Sequence, residues 1–232
     1  MDEEGKHKFT EMLDKTSYVV CCAVLAALLA VAVGVLVETV KCETASLGRF
    51  LLHDYLLIGA AMFFVLWMIP RLRGNIRWLM KFTHEFTHLI FAIIFFRKIY
   101  RFKVDDNDSF VSYSGGWFGY HAITLSPYCI PVFTLALLPW RFTTGTAFPL
   151  YLHFIDALLG FTFAFHICTW ICQVRLHQSD ISGPGTVKSL LCIALCQIIS
   201  LCLVVMTPSS GVLLAIRRVF VDFPGAVMSV FF

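Results

Sequence analysis

Apolar residues run through this chain in long blocks, and polar residues gather in the gaps between them. A membrane-crossing helix needs roughly 20 mostly apolar residues, because the hydrocarbon layer is about 30 Å thick and each helical residue rises about 1.5 Å. Blocks of that kind predict spans at about Ser17–Val37, Phe50–Ile69, Ile76–Phe96, Ile123–Leu138, Phe148–Cys172 and Val187–Met206. The second stops at Pro70 and the basic run RLRGNIR, and the fourth is short and interrupted by Pro127 and Pro131. The pattern predicts an all-α polytopic membrane protein of about six transmembrane helices. Residues 1–16 form a polar N-terminal segment, and residues 17–206 read as a single transmembrane domain. The first apolar block reads as a retained span rather than a cleaved leader. Residues 207–232 carry Arg217, Arg218, Asp222 and Pro224, which suits an interfacial or re-entrant segment better than a further span. No internal repeat is visible.

Between the third and fourth spans, at about residues 99–116, the period changes. Tyr100, Phe102 and Val104 alternate with basic residues, and Val111 and Tyr113 alternate with serines. DDND, Asp105 to Asp108, supplies turn residues between them, which predicts a short β-hairpin ending at Gly115 and Gly116. Exposed sheet edges are costly in lipid, so such a hairpin is expected to cap a cavity.

Composition agrees. The chain is 59% hydrophobic and 14% charged, against about a quarter charged in soluble domains. A formal charge of +3, spread among loops, gives no nucleic-acid surface. Arg71, Arg73 and Arg77 favour a cytoplasmic loop after the second span, yet Arg97, Lys98, Arg101 and Lys103 nearly balance them on the other side. Among nine cysteines, Cys168 and Cys172, and likewise Cys192 and Cys196, stand four apart. That spacing can present two thiols to a metal, but without a CxxC pair they read as small apolar packing residues.

One stretch breaks the apolar pattern. MKFTHEFTHLIFAIIFF, Met80 to Phe96, places two histidines and a glutamate inside a span, where ionisable groups cost about 2.5–3.5 kcal/mol each on insertion scales and are functional by default. His84 and His88 lie one helical turn apart on one face. Both imidazoles can reach one Zn2+, and Glu85 beside them can act as general base and then acid; this is the mechanical content of an H-E-x-x-H motif. The plainer alternative is a polar packing cluster between spans. Arg77, Lys81, His84 and His88 form one stripe roughly 16 Å long that could admit water, although Arg77 and Lys81 could equally snorkel to the interface.

A catalytic zinc site usually takes three protein ligands. Candidates for the third are Asp156, His166, Asp180, His153 and His121. His166 lies roughly 9 Å past the middle of the fifth span and Asp156 roughly 6 Å before it, so depth leaves the two as rivals. Asp180 falls beyond that span unless the chain folds back at Gly183 to Gly185.

Taken together, HEFTHLIFAI, RFKVDDNDSFVSYSGG, AITLSPYCIPVFTLALL and FAFHICTWICQVRLHQSDISGPG resemble the M50 intramembrane zinc metalloproteases, the site-2 protease relatives, and most of all the M50B-like branch. The resembling region covers about Phe82 to Pro184. The resemblance implies a metalloprotease-like domain with Zn2+ held by His84 and His88. It favours His166 as the third ligand, with Asp180 a distant ligand or a supporting group, and makes Glu85 catalytic. The chain lacks the Asn-Pro…Asp-Gly context in which better-known site-2 proteases carry an aspartate.

The implied activity is hydrolysis of a peptide bond in or near a membrane-spanning protein substrate, in a multi-pass protein of, by resemblance, a bacterial inner membrane. Tyr100, Phe102, Val111 and Tyr113 could bind the unwound substrate by strand addition, or the hairpin could simply plug the cavity. The competing class is a non-enzymatic membrane protein, either a regulatory or binding factor with a retained zinc site or a transporter. Transporters commonly show internal repeats, and a retained Glu85 has little use in a site that only holds metal.

Overall fold

The computed structural model describes residues 3–44, 54–105, 109–144, 149–175 and 178–225. Helix α1 is Glu3–Thr44, α2 is Asp54–Met68 and α3 is Pro70–Ile94. A two-stranded antiparallel sheet follows, β1 Ile99–Lys103 and β2 Phe110–Tyr113. Then come α4 Tyr120–Cys129, α5 Val132–Thr144, α6 Pro149–Gln173, the single turn α7 Ser179–Ser182, α8 Thr186–Ser210 and α9 Val212–Arg217. The all-α polytopic architecture with a hairpin between the third and fourth predicted spans is therefore present. Asp106, Asn107 and Asp108 of the predicted turn lie outside the described residues.

Asp14–Thr44, Leu150–Gln173 and Thr186–Ser210 are each long and apolar enough to cross a membrane. The pairs α2 with α3 and α4 with α5 also qualify as bent units, turning by 111° and 76°. Proline sets both breaks. Pro70 opens α3 at a position where a helix needs no N–H. Pro131 holds the preceding Ile130 in extended backbone, φ −114° and ψ 110°, and so ends α4. Outward faces are apolar: Val24, Leu28, Val33 and Val37 on α1, and Leu57, Ile58, Met62 and Val65 on α2, are all exposed. A water-soluble fold would bury such stripes, whereas lipid solvates them. Phe96, just after α3, and Trp117, just before α4, project almost fully, as interfacial aromatics do.

Helices α2 and α6 approach to backbone contact. A Cβ added to Gly59 would stand 1.8 Å from the Ala157 carbonyl oxygen, and one added to Gly160 would stand 1.9 Å from that of Leu56. Association in lipid relies on such close van der Waals approach. Gly160→Val is therefore expected to force α2 and α6 apart, lowering the thermal midpoint of the detergent-purified protein by several degrees; an unchanged midpoint would show that this crossing is not a stabilising contact.

Candidate metal centre

Helix α3 carries His84 and His88 on its buried side. Thr83 and Thr87 share that side and return their hydroxyls to the Leu79 and Thr83 carbonyls of the same helix. They are self-satisfied, which answers why threonine is tolerated there. His88 is oriented from outside its helix: Nδ1 donates to the Ile123 carbonyl at 2.8 Å. That carbonyl lacks its helical partner because the residue four ahead is Pro127, which has no N–H to return along α4; besides His88 it accepts only the Ser126 hydroxyl among the described residues, at 2.7 Å. With Nδ1 carrying the proton, the Nε2 lone pair of a neutral His88 faces the site.

The third group comes from a fold-back. After α6 the chain reverses into α7, and Gly185, at φ 103°, makes the turn into α8 that a side chain would strain. Ile181 is fully buried among Leu125, Tyr128, Cys129 and Ile193, and its carbonyl accepts the Ser189 hydroxyl at 3.0 Å. This plug pins the loop and brings Asp180 beneath the two imidazoles. Asp180 Oδ2 lies 3.6 Å from His84 Nε2 and 3.5 Å from His88 Nε2.

Those separations are long for a charge-assisted hydrogen bond, which closes to about 2.7–2.9 Å. They are close to the edge of a tetrahedron: donors about 2.1 Å from a common Zn2+ stand about 3.4 Å apart. The ligand atoms of His84, His88 and Asp180 all lie within 4.8 Å of one another. Two imidazole nitrogens and one carboxylate oxygen form a donor set that suits zinc. Burial pushes the Asp180 carboxyl up, but the two adjacent histidines outweigh it and hold its pKa below the ordinary carboxylate range.

Asp180, not His166, thus completes the buried cluster. His166 is buried on α6, but its Nε2 meets the Gln197 side-chain amide at 2.9 Å. Asp156 is held by Arg141, at 2.7 and 3.4 Å, in a buried ion pair. Removing either partner would strand a charge inside the membrane domain. His153 stacks on Tyr55 with ring centroids 4.1 Å apart, and His121 Nε2 meets Lys188 Nζ at 3.3 Å. Depth along the fifth span made Asp156 and His166 rivals because it measures only position along that one helix; facing direction decides instead.

Glu85 faces a cavity of about 690 Å³ that opens beside His84. Arg77 and Lys81 line it with Glu85, so the polar stripe does border open space. Asp105 and Ser109, at the turn end of the hairpin, close another wall, and Arg175 and Gln178 a third. The four hairpin residues take different positions. Phe102 pairs with Val111 across the sheet and packs on Phe82 at 6.2 Å between ring centroids. Tyr113 is half-buried near Thr124, and burial pushes its phenol pKa up. Tyr100 is exposed, with Lys98 over its ring.

Tyr128 was not anticipated as a site residue. It is fully buried, its ring lies 5.1 Å from that of His84, and its hydroxyl reaches Asp180 at 3.4 Å and Gln178 at 3.3 Å. The signal was SPYCIP, where two prolines bracket the tyrosine and free backbone carbonyls inside a span.

The fold and this cluster define a class: a membrane-embedded helical protein with a buried H-E-x-x-H helix and a carboxylate folded back onto it. The family model described as Peptidase M50B-like matches residues 56–207, more than half of the chain and all of this cluster. The chain belongs to that family, and is in kind a metalloprotease of the M50 peptidases. No curated protein and no solved structure gives a significant match.

Proposed function

We propose that the protein is a zinc-dependent intramembrane endopeptidase that cuts peptide bonds in or near a membrane-spanning segment of a protein substrate. The observation that carries this reading is the approach of Asp180 Oδ2 to both His84 Nε2 and His88 Nε2 at tetrahedral-edge spacing. His84, His88 and Asp180 would hold the ion. Zinc, when bound, lowers the pKa of water to about 7 and polarises a carbonyl oxygen.

The chain's own residues supply the rest. Glu85 takes a proton from the attacking water and returns it to the leaving amine. Ile123 fixes the tautomer and rotation of His88 through Nδ1. Tyr128 packs on His84 and holds Asp180 from behind, so two of the three ligands share one supporting side chain. The cavity beside Glu85 admits water and an extended peptide, since a helical substrate would hide its scissile carbonyl. The hairpin edge can take up such a peptide by main-chain pairing, with Phe102, Val111 and Tyr113 toward the helices and Tyr100 outermost.

The test is cleavage of a single-span reporter by the purified protein in lipid vesicles. Treatment with a zinc chelator is expected to reduce cleavage to background, and stoichiometric Zn2+ to restore it. Cleavage that survives complete metal removal would reject the mechanism.

A further inference from the structure

Cys129, Cys192 and Cys196 converge. Their sulfur atoms all lie within 4.8 Å of one another, and they come from different elements: Cys129 ends α4, while Cys192 and Cys196 sit one turn apart on α8. The other pair at the same spacing, Cys168 and Cys172 on α6, belongs to no such cluster among the described residues. The packing role assigned to Cys192 and Cys196 from sequence lacked this third thiol.

We propose that Cys129, Cys192 and Cys196 form a second metal site, for a soft thiophilic cation of the Cu+ type. Three sulfurs about 2.3 Å from one ion stand about 3.8–4.0 Å apart, within the spread seen here. Thiolate ligands select soft ions. Structural zinc takes four ligands, and the surroundings here are apolar, with Leu125, Ile181 and Ile193 packed on the thiols. His121, the nearest imidazole along α4, is engaged by Lys188.

One further feature favours an anionic sulfur centre: Lys188 precedes Cys192 by one turn of α8 and places positive charge on the same helix face. Trp170 packs on the cluster and adds to its apolar wall. On binding, each ligating thiol gives its proton to solvent and no electron moves, so affinity rises with pH.

An ion at this position would clamp α4 to α8 directly behind the His84–His88–Asp180 cluster. Cys129 follows Tyr128, and Gln197, next to Cys196, donates to the Tyr128 carbonyl and meets His166. The site is therefore placed to hold the helix that orients His88.

Metal-free full-length protein in detergent, kept anaerobic, should be titrated with Cd2+ alone while the sulfur-to-cadmium charge-transfer band is followed in the ultraviolet. We expect the band to saturate near one equivalent and to be displaced by about one equivalent of Cu+. Cys192→Ser and Cys196→Ser should each weaken binding at least about tenfold, by analogy with the loss seen when a metal site's support is removed. The double variant Cys168→Ser/Cys172→Ser should bind as the parent does. Helical content by circular dichroism identifies any variant that fails to fold. Absence of the band in the parent, an undiminished band in both single variants, or its loss in the double variant would each overturn the proposal. Because His84, His88 and Asp180 contribute no sulfur, this readout is independent of the catalytic reading.

Discussion

Purified Asp180→Ala protein is expected to retain only a small fraction of its zinc, while His166→Ala retains close to one ion per chain. The contrast follows from where each side chain spends its lone pairs. Asp180 Oδ2 sits 3.5–3.6 Å from two imidazole nitrogens, whereas His166 Nε2 is taken up by Gln197. Losing one of three ligands removes the whole chelate, because two histidines on one helix leave the ion half open to solvent and competing buffer. Elemental analysis after dialysis against a weak chelator reads the outcome directly. Zinc lost from His166→Ala and kept in Asp180→Ala would reverse the assignment. The Asp180→Ala protein should still fold, since Ile181, not Asp180, anchors the turn into the core.

Glu85→Gln should leave zinc content unchanged and reduce cleavage of a membrane-spanning reporter by about 10²–10⁴-fold, the range that positioned proton transfer contributes. Glutamine keeps the size and polarity of the side chain but cannot take a proton at the pH of the assay. Glu85 lines the cavity beside His84 and is not among the three groups whose ligand atoms converge, so the glutamine variant should spare metal binding. Equal cleavage by the parent and Glu85→Gln would remove Glu85 from the chemistry. It would also reopen the alternative of a membrane protein that holds zinc without using it. A variant that lost both zinc and cleavage would show that Glu85 supports the cluster itself.

The helical membrane fold was legible because lipid imposes a long, one-dimensional constraint: a span must be apolar over its full length, and that can be read residue by residue. Prolines marked the breaks at Pro70 and Pro131 for the same local reason, the missing N–H and the restricted preceding residue. The hairpin was visible in its alternating period. His84, Glu85 and His88 were legible because helical geometry converts a spacing of four into one face.

What the order of residues could not decide was the partner of that face. Depth left Asp156 and His166 as rivals on one span, Asp180 fell beyond its end, and the family resemblance favoured His166. Only the tertiary structure shows Ile181 plugged into the core, Gly185 turning the chain and Asp180 carried back under the imidazoles. The same holds for Cys129 beside Cys192 and Cys196, and for Tyr128 against His84 and Asp180. Periodicity reports which residues share a face of one helix. Convergence between helices depends on how those faces pack, and packing is set by contacts distant in sequence, such as the glycine crossing of α2 on α6.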